Sequence, residues 1–259
     1  MIESGVCRIS NSARRRMARI LCLLIMLVSI CSFAADKQDY KRYSRHRIVV
    51  RQKMPASRQV GGKLPPKDAV PPAAKKFFEA LDVLPIGFIK RSGLKYVTFL
   101  EKPTLKDIPI GGVACGDTIV LSISFSERVI YHELFHVFDL QREDRKWKNL
   151  NDRKFVYTGS DYYAIQMSRT KTKRKEENLA VGKYDADFVS RYAMSNELED
   201  KAETFACMVC EQKVFLKRVK KSPVLRKKMK YIIDMTDKNK LLGKEFWQKT
   251  LGVEDLSSL

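Results

Sequence analysis

Histidine is scarce in this chain of 259 residues: only His46, His132 and His136 occur. Two of the three stand four residues apart, and the other lies far upstream in a basic stretch. A metal site with more than two protein ligands must therefore turn to carboxylates or cysteines. Cysteine is nearly as limited. Of six, Cys7, Cys22 and Cys31 fall within the first 34 residues, which leaves Cys115, Cys207 and Cys210. Cys207 and Cys210 have C-x-x-C spacing, but they fall inside a predicted helix and no second pair follows, which argues against a structural zinc site. The expectation is cysteines that pack, with a disulfide from Cys115 to one helix cysteine as the alternative.

A long hydrophobic run is also missing. The stretch Ile20–Ala34 is too short for a comfortable membrane span. It suits the apolar core of a signal peptide, with Arg14, Arg15, Arg16 and Arg19 before it and Ser32-Phe33-Ala34 offering small residues at a cleavage site. Residues 1–34 are thus expected to be a signal peptide cleaved after Ala34, the protein being exported, periplasmic or secreted. Acidic residues are few as well: 30 against 50 basic ones, for a net charge of +20. Five arginines against Glu3 precede Ala35, so about +16 stays with the remainder. The basic residues are scattered and not interleaved with an aromatic stacking platform. No specific nucleic-acid partner is expected, only weak attraction to anionic surfaces.

What the chain does contain is concentrated in Ile130-Tyr131-His132-Glu133-Leu134-Phe135-His136-Val137-Phe138-Asp139. On an α-helix, residues four apart lie one above the other, so His132 and His136 can grip one metal ion. Glu133 sits about 100° further round, where its carboxylate can act as a base toward a metal-activated water. Val129, Ile130, Leu134, Val137 and Phe138 make this helix apolar over much of its circumference, as suits a helix inside a domain. Ser124-Phe125-Ser126-Glu127 before it fits a capping box. Two imidazoles fill only half of a tetrahedral shell. With only His46 left over, a further ligand is expected to be a carboxylate.

Residues 35–70 read as a basic linker, and the domain is expected to span 71–259. Its elements begin with a helix over Ala73–Leu81, led by Pro71-Pro72. Strands are expected at Ile86–Ile89 and Tyr96–Leu100, joined by a turn at Ser92-Gly93, and at Asp117–Ile123. The last of these is the expected edge on which an extended peptide could lie. Charged runs in 142–183 suggest a surface insertion. From Asn196, a candidate N-cap, a helix is expected with Leu198, Ala202, Phe205, Ala206 and Val209 on one face. Glu199 and Glu203 share a face of it and repel unless a cation intervenes. Basic helical segments continue to the C-terminus, with Phe246 and Trp247 packing them onto the domain.

The downstream pattern Tyr-x6-Glu-x2-Ala-Glu-x-Phe, carried by Tyr192, Glu199, Ala202, Glu203 and Phe205, resembles the second signature of gluzincin metallopeptidases of the anthrax lethal factor-like kind. The first signature is matched by His132-Glu-Leu-Phe-His136 with Asp139 after it, although Leu134-Phe135 stand where Phe-Gly is frequent in that family. The resemblance covers residues 117–210. It implies an α+β, zincin-like metallopeptidase domain: a small mixed sheet packed on an active-site helix, followed by a helical C-terminal part. It implies a Zn2+ cofactor held by His132, His136 and Glu199, with Glu133 as general base. It implies that Tyr192 assists at the oxyanion or leaving group and that Glu203 orients a ligand histidine. The function implied is an exported zinc endopeptidase acting on protein or peptide substrates. The alternatives are an inactive zincin-fold protein that binds an acidic or proteinaceous partner, and a basic exported protein that binds acidic polymers.

Overall fold

The computed structural model describes residues 44–258 except 56, 58, 141, 143–145, 160–182 and 239–240. The expected signal peptide and the charged run 171–177 lie outside the described residues. The chain divides at Arg45/His46 into two units, and the sheet and the helices belong to the second, His46–Leu259. Among the described residues no helix is long and apolar enough to cross a membrane.

The sheet is built on strand β3, Tyr96–Leu105, which lies between β1 (Val49–Val50) and β6 (Thr118–Ser122), both parallel to it. Val97, Thr98, Phe99 and Leu100 are all buried, as expected of a strand covered on both faces. The outer half of β3 pairs antiparallel with β2 (Val60–Lys63) and β4 (Ile108–Pro109). Strand β5, Gly112–Cys115, pairs antiparallel with β6 and closes the order β1-β3-β6-β5. The expected edge strand is therefore an interior one: Thr118–Ser122 is paired on both sides, and β5 is the edge.

Two further expectations change. Part of the expected linker enters the domain: His46 and Ile48 are buried, Arg47 and Val49 are exposed, and β1 and β2 join the sheet. The charge of this segment hides a period-two pattern. His46 Nε2 meets Asp82 at 2.9 Å, and its ring lies 5.3 Å from that of Phe78. Ile86–Ile89 is not a strand. Helix α1 (Val70–Leu81) is followed by α2, Ile86–Arg91, entered from Pro85. A four-residue apolar run does not distinguish strand from helix, and the basic pair Lys90-Arg91 favours a helix C-terminus. The Ser92 hydroxyl donates to Ile89 O at 2.8 Å, so Ser92-Gly93 ends the helix and forms no hairpin.

The motif helix α3 spans Glu127–Asp139. Its N-cap is Ser126, without a side-chain capping bond, and the Ser124 hydroxyl instead meets Ser122 Oγ at 3.1 Å, so the expected capping box does not form. Helix α4, Glu197–Cys210, starts as expected: Asn196 Oδ1 accepts from the N–H groups of Leu198 and Glu199 at 2.9 and 3.0 Å. Leu198, expected on the apolar face, is exposed. Helices α3 and α4 pack through Phe135 and Phe205, whose ring centroids lie 4.8 Å apart. The helical C-terminal part consists of α5 (Gln212–Val219), α6 (Pro223–Lys238) and α7 (Lys244–Leu251). Trp247 of α7 is fully buried against Phe205 and donates to Thr236 Oγ1 at 2.9 Å. The molecule is thus an α+β fold with a small mixed sheet on the motif helix and helices after it.

Two buried ion pairs tie this frame together. Lys201 of α4 reaches Asp139 at the end of α3 at 2.8 Å. Lys228 of α6 reaches Asp200 of α4 at 2.8 Å, both side chains being fully buried. The same Asp200 oxygen accepts from Trp147 Nε1 and from the Tyr157 hydroxyl, each at 2.8 Å. Residues 147–157 are therefore more than a surface insertion, because Trp147 is fully buried in the domain. Removing one member of such a pair strands the other without a counter-charge. Lys228→Met is expected to lower the unfolding free energy by about 3–5 kcal/mol, and Asp200→Asn added to it to recover part of that, both read by urea denaturation.

Candidate metal centre

The two signature histidines and the first downstream glutamate converge where α3 crosses α4. His132 Nε2 and His136 Nε2 are 3.0 Å apart. Glu199 Oε2 lies 3.0 Å from the first and 3.1 Å from the second. On its other edge His132 Nδ1 meets Glu203 Oε1 at 3.0 Å. A proton on Nδ1, donated to that carboxylate, leaves the Nε2 lone pair pointing at His136 and Glu199. Three electron-rich atoms then face one another. A single proton satisfies one such contact, whereas a small cation satisfies all three. Donors held at about 2.0–2.2 Å from one tetrahedral ion stand roughly 3.3–3.6 Å from one another, so these residues fit zinc with a small outward shift of the three side chains.

Glu133 brings a carboxylate oxygen to the same place, its ligand-type atoms and those of the two histidines lying within 4.8 Å of one another. It is held differently from Glu199. The N–H of Ala114 in β5 donates to it, and burial raises its pKa against the pull of His132 and His136. The strand comes this close because residue 112 is glycine. A Cβ there would lie 2.7 Å from Val129 Cγ1, 3.0 Å from Leu121 Cδ2 and 3.1 Å from Glu133 Cγ. In the metal-free protein Glu199 is pulled the other way: burial alone would raise its pKa, but with ring protons in place of lone pairs facing it, hydrogen bonds from His132 and His136 hold it well below the carboxylate range.

Tyr192 lies in a short turn, Tyr192–Met194, before α4. Its ring stacks on His132 with centroids 5.8 Å apart, and its hydroxyl hydrogen-bonds Glu199. Burial, reinforced by Glu199 and then Glu133, pushes its pKa up, so it stays a donor at neutral pH. Every residue singled out from the sequence (His132, Glu133, His136, Tyr192, Glu199 and Glu203) is brought to this one crossing.

Sequence reasoning misses the residues behind Glu203. Arg128, one turn before His132, donates through Nη2 to Glu203 Oε2 at 2.8 Å and through Nη1 to Glu211. The Ser190 hydroxyl donates to the same Glu203 oxygen at 2.6 Å. The spacing of Arg128 four before His132 on one helix is the available signal; Ser190 has none. The cysteines take no part: Cys115, Cys207 and Cys210 are free, so the alternative disulfide does not form. Burial pushes the Cys207 and Cys210 thiols up to about 12.

Protein stripped of metal should depend on pH in a definite way. Burial opposes a charge on His132, but Glu199 and Glu203 outweigh it and raise its pKa to about 10. A raised pKa stabilises the fold fully below the unfolded value, about 6.5, and that contribution is lost as pH climbs toward 10. Glu199 and Glu203 act oppositely, since their lowered pKa values stabilise above about 4.3 and lose that effect as pH falls below it. Chelator-treated protein should therefore melt several degrees lower at pH 9.5 than at pH 6.5 and also weaken below pH 4. Zinc uptake at pH 7 should release protons, as titration calorimetry in buffers of different ionisation enthalpy would read.

No curated protein matches the chain significantly. The fold is similar to that of a protein from Bacteroides caccae whose crystal structure is described as a "putative zinc-binding metallo-peptidase", with a TM-score of 0.54 and 14% identity over 87% of this chain and 95% of that one. At such low identity the likeness speaks to the fold alone. The sequence model of a family described as "putative zinc-binding metallo-peptidase" matches residues 118–253, more than half of the chain and including the whole crossing of α3 and α4. The chain belongs to that family of zinc-binding metallo-peptidases.

Proposed function

We propose that the protein is a zinc-dependent endopeptidase of the gluzincin kind, with His132, His136 and Glu199 holding Zn2+ and Glu133 as general base. The observation that carries this reading is the meeting of the two Nε2 atoms and Glu199 Oε2 at 3.0–3.1 Å, with a differently held carboxylate, Glu133, beside them. Bound there, zinc would polarise a peptide carbonyl and bring the pKa of a water toward about 7.

Each nearby residue then has a task. Glu133 takes a proton from the attacking water and passes it toward the leaving amine, a role favoured by a pKa raised by burial. Tyr192, kept protonated, offers a hydrogen bond to the developing oxyanion. Glu203 fixes the ring of His132, and His132 and then Arg128 keep Glu203 charged. An extended substrate would add to the edge strand β5, beside Glu133, through main-chain hydrogen bonds. The arrangement of two signatures in order supports the kinship with lethal factor-like enzymes. The arginines before Ile20–Ala34 support export, after which the enzyme would work in the periplasm or outside the cell.

Glu133→Gln should retain stoichiometric zinc and lose roughly 10²–10⁴-fold in kcat, measured on a broad peptide library. Wild-type protein that holds zinc yet cleaves nothing in such a library would reject the endopeptidase reading. Glu199→Ala should weaken zinc binding by more than the roughly 10–100-fold expected when only an outer partner is removed, the class to which Glu203→Ala belongs. Chelator competition measures both, and equal effects would move the third ligand away from Glu199.

A further inference from the structure

Ser190 makes two hydrogen bonds that join different parts of the centre. Its hydroxyl donates to Glu203 Oε2 at 2.6 Å, and the same oxygen of Ser190 accepts the N–H of Ala193 at 3.1 Å. The first bond reaches the carboxylate that holds His132 Nδ1. The second fixes the turn that carries Tyr192. We propose that Ser190 is a positioning residue that locks the placement of Tyr192 to that of His132 through Glu203. The inference rests on the ligand set proposed above.

The surrounding bonds explain why one hydroxyl matters. The segment before the turn is held from outside by Arg218, which donates to Val189 O and Asp185 O at 2.7 and 2.9 Å. The last residue of the turn and the one after it are held by Thr158 and Gly159, whose N–H groups donate to Met194 O and Ser195 O at 3.0 and 2.8 Å. These braces reach α4 only through Asp200, by way of Tyr157 beside Thr158 and of Lys228, which donates to Asp187 O. Ser190 instead reaches Glu203, one turn beyond Glu199 on α4 and the residue that holds His132 Nδ1. Tyr192 itself rests on two proposed ligands, stacked on His132 and hydrogen-bonded to Glu199. The path Ser190–Glu203–His132–Tyr192 therefore closes a ring through the turn. Removing the hydroxyl opens it at one point and leaves Arg128 holding Glu203.

The test is a double-mutant cycle read in zinc affinity, which does not depend on turnover. Zinc dissociation constants are measured by chelator competition for wild type, Ser190→Ala, Tyr192→Leu (which removes the ring stacked on His132) and the double variant, with Ser190→Thr as the conservative control. Ser190→Ala should weaken zinc about tenfold, the low end for an outer partner, and Ser190→Thr should return it to within about threefold of wild type. In the double variant the combined loss should be clearly smaller than the product of the single losses, because both act through one ring. Wild-type affinity in Ser190→Ala, or losses that simply multiply, would overturn the proposal. Should alanine disturb folding, Ser190→Cys keeps the volume with a weak hydrogen bond and carries the same comparison. Zinc held by wild type without any peptide cleavage would reject the peptidase reading alone, since the cycle still decides the role of Ser190.

Discussion

Three electron-rich atoms pressed to within about 3 Å of one another are the constraint on which this structure turns. Such a convergence is unfavourable in a protein interior unless positive charge intervenes. The surrounding fold supplies what is needed to sustain it. Phe135 and Phe205 pack α3 against α4 below the site, and Asp139 with Lys201 pins the end of one helix to the other. Arg128 sets a permanent cation against the outer carboxylate, and no proton equilibrium near neutrality can remove it. The site is therefore a strained meeting of donors in a frame rigid enough to keep them together, which is how a preorganised metal site differs from a set of flexible side chains.

The sheet contributes through its edge. A parallel core of β1, β3 and β6 would present no free strand next to α3, but β5 turns back antiparallel and lies over the helix. Gly112 allows that approach, and Ala114 uses its N–H on Glu133. One short strand thus both supports Glu133 and borders open space beside it. On the proposed reading, substrate orientation and proton transfer would share the same backbone, a coupling that a helix packed against a sheet edge can give.

The parts of this arrangement visible in the amino-acid sequence are those written in local periodicity. His132 and His136 share a helix face, Glu199 and Glu203 share another, and Asn196 caps as its type requires. The edge strand is hard to read because Thr118–Ser122 has the stronger β pattern, while Gly112-Val-Ala-Cys115 owes its place to what glycine permits. Ile86–Ile89 is too short a run to tell strand from helix. Residues 46–63 read as linker because their apolar members, Ile48 and Val60 among them, are diluted by lysine and arginine. Ser190 and the Asp200–Lys228 pair act between separate elements, where no spacing rule reaches, and Arg128 is marked only by its place one turn before His132.

On the proposed reading, the two inner carboxylates would separate two tasks, base and ligand, without different residue types. Glu133 and Glu199 are both buried, and burial alone would raise both pKa values. The difference lies in what each faces. In the metal-free protein Glu199 takes direct hydrogen bonds from both imidazoles and is held ionised, the form in which it would bind a metal. Glu133 feels the same imidazoles only through space, has one backbone N–H, and also feels Glu199 as a like charge, so burial prevails and its pKa rises. The ionised neighbour that a ligand requires is thus part of what makes the second carboxylate basic. Moving negative charge off Glu199 would weaken the hold on metal and lower the basicity of Glu133 together, which ties the two tasks to a single helix crossing.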